Sequence, residues 1–271
     1  MTVLNQSHII GHRGARAEAP ENTLGGFRFL RDLGINKAEL DIHHSADHKL
    51  MVMHDDNTLR TTGVAGEIGK TPSTDLKKLN ATADFKKPWP QIEPTPELKE
   101  VLSDWDKLEH IQIEVKPMET TEARVAMAQE LKKNCDELNL QSKHAFITSS
   151  DPDFLRESIK VNAMPHGLIA WEPEKRPLET ARSIGCKLLA LDHALYSKSM
   201  AKACKKANMP VSLWTVNDAK LADKMVRRGA TSIITDRPQA FVNWINQKQP
   251  ANDGFMQKIK PLAWLQSKIA H

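Results

Sequence analysis

The chain has 271 residues, a formal net charge of +4 and three cysteines, with 27% charged residues and a mean hydropathy of −0.49. No run approaches the 18 or so apolar residues of a membrane span, and Lys and Arg form no stripe of the kind nucleic acid requires, so neither an integral membrane protein nor a nucleic-acid binder is expected. The length suits one α/β barrel of about 250 residues, and Cys135, Cys186 and Cys204, odd in number and without CxxC spacing, argue against a disulfide framework or a zinc site.

The N-terminus, MTVLNQSHIIGHRG, shows no basic n-region and no apolar h-region. A cytoplasmic location without a secretory signal is the expectation. His8 to Gly11 reads as the first strand, followed by HRG, then by PENT (Pro20 to Thr23) and a helix through Phe27, Leu30 and Leu33 that stops at Gly34. Lys37 to Ser45 is the second strand, and Met51 to Asp55 a short hairpin strand after it. The stretch 56–95 then reads as an insertion with at most one short helix near Thr74 to Leu79; a loop of that length inside a compact domain is usually functional. A helix from Thr95-Pro96-Glu97 to Trp105 precedes the third strand, His110 to Lys116.

Short apolar runs continue to alternate with helical patterns: strand His144 to Thr148 and helix Phe154 to Val161, strand His166 to Trp171 and helix Leu178 to Ile184, strand Lys187 to Leu191 and helix Lys198 to Lys206, strand Val211 to Val216 and helix Ala219 to Arg228, strand Ser232 to Thr235 and helix Gln239 to Trp244. Eight such units close most simply as a TIM (β/α)8 barrel over residues 1–249, with its chemistry on the C-terminal rim. An open doubly wound sheet is the alternative, but it requires a reversal of strand order that the sequence does not show.

The chemistry gathers at the ends of the first three strands. Glu39 and Asp41 are two apart, so both leave one face of a strand and can reach one ion, while Leu40 and Ile42 point the other way into a core. Hard oxygen ligands suit Mg²⁺ or Ca²⁺. Glu114 and Lys116 share a face of the third strand, His54 ends the hairpin strand, and His12 and Arg13 end the first. Three carboxylates for one divalent cation, two histidines for proton transfer and the charges of Arg13 and Lys116 are what cleavage of a phosphodiester requires.

These motifs, HRG, PENT, ELD, HDxxLxRTT, IEVK, WTVN and TDRP, occur over residues 8–245 in the order found in the glycerophosphodiester phosphodiesterase family, which the chain resembles. The resemblance implies a TIM barrel with a small segment inserted after the second strand, to which 56–95 corresponds. It implies His12 and His54 as the acid/base pair, Glu39, Asp41 and Glu114 as ligands of one metal ion, and Arg13 and Lys116 as phosphate contacts. It also implies attack by the substrate's neighbouring glycerol hydroxyl, giving a cyclic phosphate that water opens to glycerol 3-phosphate. His12 is taken as base and His54 as acid of the first step, although their roles exchange in the second and the sequence does not distinguish them. The chain departs from its relatives at Ser45 and Asp47-His48 in the hairpin and at Ser149-Ser150, where relatives carry Ser-Phe, so an aromatic wall of the pocket is expected to be missing.

The implied substrates are small glycerophosphodiesters such as glycerophosphocholine or glycerophosphoethanolamine. A lysophospholipase D is the alternative, needing an apolar groove under the insertion that Trp89 and Ile92 would supply; a non-catalytic phosphoanion-binding barrel is the second. Trp214, at a strand end, is a candidate for the leaving-group pocket, and Trp171 is read as packing. His43, His44 and His48 read as solvated hairpin residues rather than a second metal cluster, Asp192 and His193 as a helix-entry pair, and Gly63-x-x-Gly66-x-x-Gly69 as lid geometry rather than a nucleotide site. Residues 250–271 place Phe255, Ile259, Leu262, Leu265 and Ile269 at helical spacing among lysines. Such an amphipathic extension suits packing on the barrel or on a second subunit, giving a homo-oligomer, better than lying on a membrane surface.

Overall fold

β1 (Ile9–His12) hydrogen-bonds both β2 (Lys37–His44) and β9 (Ser232–Thr235), and that double pairing closes the sheet. The computed structural model describes residues 2–140 and 145–248. Around the ring the parallel strands run β1, β9, β8 (Val211–Trp214), β7 (Leu188–Asp192), β6 (His166–Ala170), β5 (Ala145–Ser149), β4 (His110–Val115) and β2, with β3 (Leu50–Val52) added antiparallel to β2. α1 (Leu24–Asp32) follows β1; α2 (Leu59–Thr62), α3 (Ser73–Leu76) and α4 (Leu98–Ser103) lie between β3 and β4. α5 (Thr121–Glu137), α6 (Pro152–Val161), α7 (Pro177–Ile184), α8 (Lys198–Lys206), α9 (Ala219–Arg228) and α10 (Pro238–Lys248) follow β4 to β9 in turn. This is a TIM barrel, and the doubly wound alternative is excluded by the closure through β1 and β2.

Strand alternation makes two layers. Leu40, Ile42, Ile111, Ile113 and Val115 are fully buried in the main hydrophobic core. The intervening side chains turn into the barrel, where Gln112 Nε2 donates to Ser212 Oγ at 3.0 Å, joining β4 to β8. Helix ends follow ordinary capping: Thr23 Oγ1 accepts from Gly26 N, Asp151 Oδ1 from Asp153 and Phe154 N, and Asp218 from Leu221 N. Gly185 and Gly229 close α7 and α9 with φ of 93° and 110°, as expected of left-handed caps.

Element ends shift by at most four residues from the sequence expectation, the last helix running on to Lys248, and three differences are larger. The segment after β3 is more structured than a loop with one short helix: α2 is followed by a 3-10 turn at Ile68–Lys70 and by α3, which pack Ile68 and Leu76 on Met51 and Met53 as a second small core. α3 answers to the short helix expected near Thr74 to Leu79, whereas α2, also a single turn, is too short to show a repeating apolar pattern. Second, α5 is not apparent from sequence. Its apolar residues, Ala123, Val125, Ala126, Met127, Ala128 and Leu131, run together in its middle rather than recurring at helical spacing, so they form no distinct stripe. Third, Trp89 is partly buried, donating from Nε1 to Glu93 and lying tilted against Phe29 and edge to face with Phe85, while Ile92 is 71% exposed. The proposed extension 250–271 lies outside the described residues. Among the described residues no helix is long and apolar enough to cross a membrane.

Candidate active site

Strand register assembles the rim. His12 pairs with Glu39 across β1 and β2, and Asp41 with Glu114 across β2 and β4, so residues far apart in the chain become lateral neighbours. Ligand oxygens of Glu39, Asp41 and Glu114 all lie within 4.8 Å of one another. Glu39 and Glu114 line a cavity of about 640 Å³ with His12, Arg13, His54, Lys116 and Trp214, so every candidate site residue except Asp41 lines it directly. Asp41 is fully buried just beneath.

The carboxylates are crowded and deeply placed. Burial, then the charges of Asp41 and Glu114, push Glu39 well above the usual carboxylate range. Burial and Asp41 raise Glu114 in the same direction. Asp41 is instead held low: burial opposes ionisation, but Lys116 and Arg13 outweigh it. Lys116 Nζ lies 2.5 Å from Asp41 Oδ1 and donates to Glu114 Oε1 at 2.6 Å, and Arg13 Nε is 3.2 Å from Asp41 Oδ2. Glu39 Oε1 is buried with no hydrogen-bond partner among the described residues, while Oε2 accepts from Arg13 N at 3.1 Å. Three converging hard oxygens, one orphaned, in surroundings that penalise their joint ionisation fit a divalent cation of the Mg²⁺ or Ca²⁺ type.

Each histidine is backed by a carboxylate that no reading of spacing identified. His12 Nδ1 is 2.6 Å from Asp236 Oδ1, and its Nε2 is 3.8 Å from Glu39 Oε2. Asp236, in the TDRP motif, is fixed by Asn217 of WTVN, whose Nδ2 donates to Asp236 Oδ2 at 2.8 Å. Burial pushes the Asp236 carboxyl up, but the bond from His12 brings it down to about 2. His54 Nδ1 is 2.6 Å from Asp55 Oδ1, and its carbonyl oxygen receives His43 Nε2 at 3.0 Å. Burial is the leading cause of a lowered pKa at His54.

Glu21 ties the HRG turn to α2. Arg60 donates to both of its oxygens at 2.8 and 3.0 Å, and Arg13 Nη1 donates to Oε1 at 3.0 Å. Arg60 also grips Asp55, at 2.6 and 3.2 Å. Glu21 is therefore held at about 2 by Arg60 and Arg13, against the upward push of burial. Asn22, beside it, donates from Nδ2 to Asp41 Oδ2 at 2.9 Å. The motifs PENT and HDxxLxRTT thus form one continuous network, His54–Asp55–Arg60–Glu21–Arg13–Asp41.

The backbone at HRG is shaped to allow this. Arg13 and Gly14 have φ of 50° and 87°, and a Cβ on Gly11 would lie 2.0 Å from Gly14 O, so the turn folds back on the strand end only with glycine there.

Two expectations need correction. His43 is not a solvated hairpin residue: it is half-buried, its pKa is lowered by that burial, and it holds the His54 carbonyl. His44 and His48 meet edge to face with ring centroids 5.7 Å apart, and His48 takes the left-handed turn conformation, φ 58°. Trp171 is not simply packing: it is 46% exposed and lines the cavity with Trp214, the ring centroids 6.2 Å apart. Asp192 caps a 3-10 turn as expected, accepting from Ala194 N at 2.8 Å, but also lines the cavity. Ser150 lines it as well, without an aromatic ring.

The carboxylate triad, the two carboxylate-backed histidines, the buried Arg13 and the partly buried Lys116 at the C-terminal rim define a phosphodiester hydrolase barrel. The chain belongs to the glycerophosphoryl diester phosphodiesterase family, whose model matches residues 12–240. A glycerophosphodiester phosphodiesterase of Caldanaerobacter subterraneus is 27% identical over 244 residues, 88% of this chain and 98% of that protein. One of Bacillus subtilis is 26% identical over 256 residues, 86% and 84% of the two chains. Among solved structures, an Oleispira antarctica phosphodiesterase in complex with the product sn-glycerol 3-phosphate superposes with a TM-score of 0.78 at 24% identity, covering 88% of this chain and 96% of that one. The glycerophosphodiester phosphodiesterase of Thermotoga maritima gives 0.71 at 25%, covering 89% and 99%. The activity of this chain is hydrolysis of glycerophosphodiesters.

Proposed function

We propose that the chain hydrolyses small glycerophosphodiesters, such as glycerophosphocholine and glycerophosphoethanolamine, to sn-glycerol 3-phosphate and an alcohol, with His12 and His54 as the acid/base pair. The observation that carries this is the placing of two histidines, each backed by a carboxylate at 2.6 Å, on the same cavity as the carboxylate triad. Glu39, Asp41 and Glu114 would hold one Mg²⁺ or Ca²⁺, which when bound offsets negative charge gathering on the phosphoryl oxygens. Arg13 and Lys116 supply further positive charge at the phosphate, and Trp214 walls the cavity.

In the first step one histidine takes the proton of the substrate's glycerol 2-hydroxyl as its oxygen bonds to phosphorus. The other gives a proton to the departing alcohol oxygen as its bond to phosphorus breaks. The two histidines then stand in opposite protonation states, ready for water to open the cyclic phosphate with roles exchanged. Asp236 and Asp55 hold each ring by Nδ1, which leaves each Nε2 for this exchange. Phosphorus NMR during turnover tests the sequence: a transient cyclic glycerophosphate ahead of glycerol 3-phosphate is expected. Steady hydrolysis of a substrate whose glycerol 2-hydroxyl is replaced by hydrogen contradicts it.

A further inference from the structure

The wall of the cavity facing the charged cluster has a different chemistry. In the closed ring β6, β7 and β8 stand across from β1, β2 and β4 respectively. Asp192, the last residue of β7, therefore lies across from Glu39 and Asp41. Trp171, one residue beyond β6, lies across from His12 and Arg13, and Trp214, the last of β8, across from Glu114 and Lys116. Asp192 and Trp214 are partners in register, and the two indoles meet at 78°, centroids 6.2 Å apart.

Charge is divided between the two walls. Arg13, Arg16 and Lys116, the cavity's Arg and Lys residues, all come from the β1 and β4 side. Asp192 accepts from Ala194 N and has His193 Nδ1 3.7 Å away, a nitrogen that also lies 3.3 Å from Trp214 O. Among the described residues no Lys or Arg pairs with it. The other lining residues on that wall, Ile169, Ala190 and Thr215, carry no charge. An indole left 46% exposed beside a carboxylate without a cationic partner suits a cation that sheds its water readily.

We propose that Trp171, Asp192 and Trp214 form a subsite for a quaternary ammonium group on the leaving alcohol, so that the enzyme prefers zwitterionic choline-type diesters to neutral or anionic ones. The inference rests on the phosphodiesterase reading above. The phosphate goes to the cationic wall and the ammonium to the aromatic and acidic wall, so the substrate's dipole matches that of the cavity. A primary ammonium, more tightly hydrated, gains less from the indoles and ranks below the quaternary group. Neutral polyols gain neither contact.

The test compares glycerophosphocholine with its carbon isostere, the 3,3-dimethylbutyl ester of glycerol 3-phosphate, which has the same shape without the charge. Wild-type kcat/KM is expected to favour the choline diester about tenfold. The ratio is expected to collapse towards one in Asp192→Asn, which keeps the oxygen that caps Ala194, and to fall in Trp171→Leu, whose side chain supports no core. A wild-type ratio near one, or a ratio that survives both substitutions, overturns the subsite. If neither diester turns over, the phosphodiesterase reading fails, and calorimetry with choline and 3,3-dimethylbutanol reads the subsite separately: tighter choline binding supports it, and equal or absent binding overturns it.

Discussion

His12 and Asp236 stand 224 positions apart in the chain and 2.6 Å apart at the rim. The contact exists because β1 and β9 are paired in register, Gly11 opposite Thr235, which brings the residue after each into reach at the strand ends. It orients the ring so that Nε2 faces the cavity side where Glu39 lies.

Asp236→Asn is therefore expected to cut kcat by on the order of 100-fold, with KM changed little, because an amide can leave the wrong imidazole nitrogen protonated and weakens its anchoring. Steady-state kinetics separate the two constants. An unchanged kcat would remove Asp236 from the account.

Arg60 is 33% exposed at its side chain, yet it is the donor shared by Asp55 and Glu21. Arg60→Ala leaves Asp55 without a guanidinium and Glu21 with only Arg13 and Arg16, and is expected to lower stability by about 1–3 kcal/mol and to slow turnover by loosening the anchor of His54. Chemical denaturation and kinetics on one preparation check both; a variant as stable and as active as wild type contradicts the network.

Stability is expected to fall in acid. Glu21, ordinarily near 4.5, titrates at about 2 in the fold. A carboxyl depressed on folding stabilises above its unfolded pKa and loses that contribution as pH falls through the folded value, here from roughly pH 4.5 to 2. Asp236, also at about 2, acts in the same direction. Urea midpoints measured between pH 6 and 2.5 should fall with pH, and Glu21→Gln should flatten the slope while lowering the plateau. A midpoint independent of pH in this range counts against the ion pairs.

Because burial, and then the neighbouring carboxylate charges, raise Glu39 and Glu114, binding of Mg²⁺ or Ca²⁺ is expected to release protons, increasingly so as pH is lowered towards 5. Calorimetry in buffers of different ionisation enthalpy counts them. The same titration on Glu114→Gln should show weaker binding and fewer protons; binding without proton release contradicts the assignment of the cluster.

The barrel and most of the site were legible in the sequence because both are written in strand alternation: Glu39 with Asp41, and Glu114 with Lys116, declare which face turns inward, and parallel pairing then makes neighbours of Asp41 and Glu114. The carboxylates behind the histidines were not legible as such. Asp55 adjoins His54 at the end of the expected hairpin strand, where nothing in the sequence marks it as the partner of that ring, while Asp236 reaches His12 only through closure of β9 on β1. Glu21 carries no periodic signal; its role depends on two arginines that come from elements on either side of it in the fold. α2 was hidden by its shortness, and α5 by apolar residues that run together instead of forming a stripe at helical spacing.

The most direct measurement is release of glycerol 3-phosphate from glycerophosphodiesters by wild type, His12→Ala and His54→Ala, each with Mg²⁺, Ca²⁺ or a chelator. Turnover by wild type with a divalent cation, abolished by chelator and reduced at least about 100-fold in both variants, is the predicted result. Wild-type turnover that survives the chelator and the loss of either histidine would contradict the account.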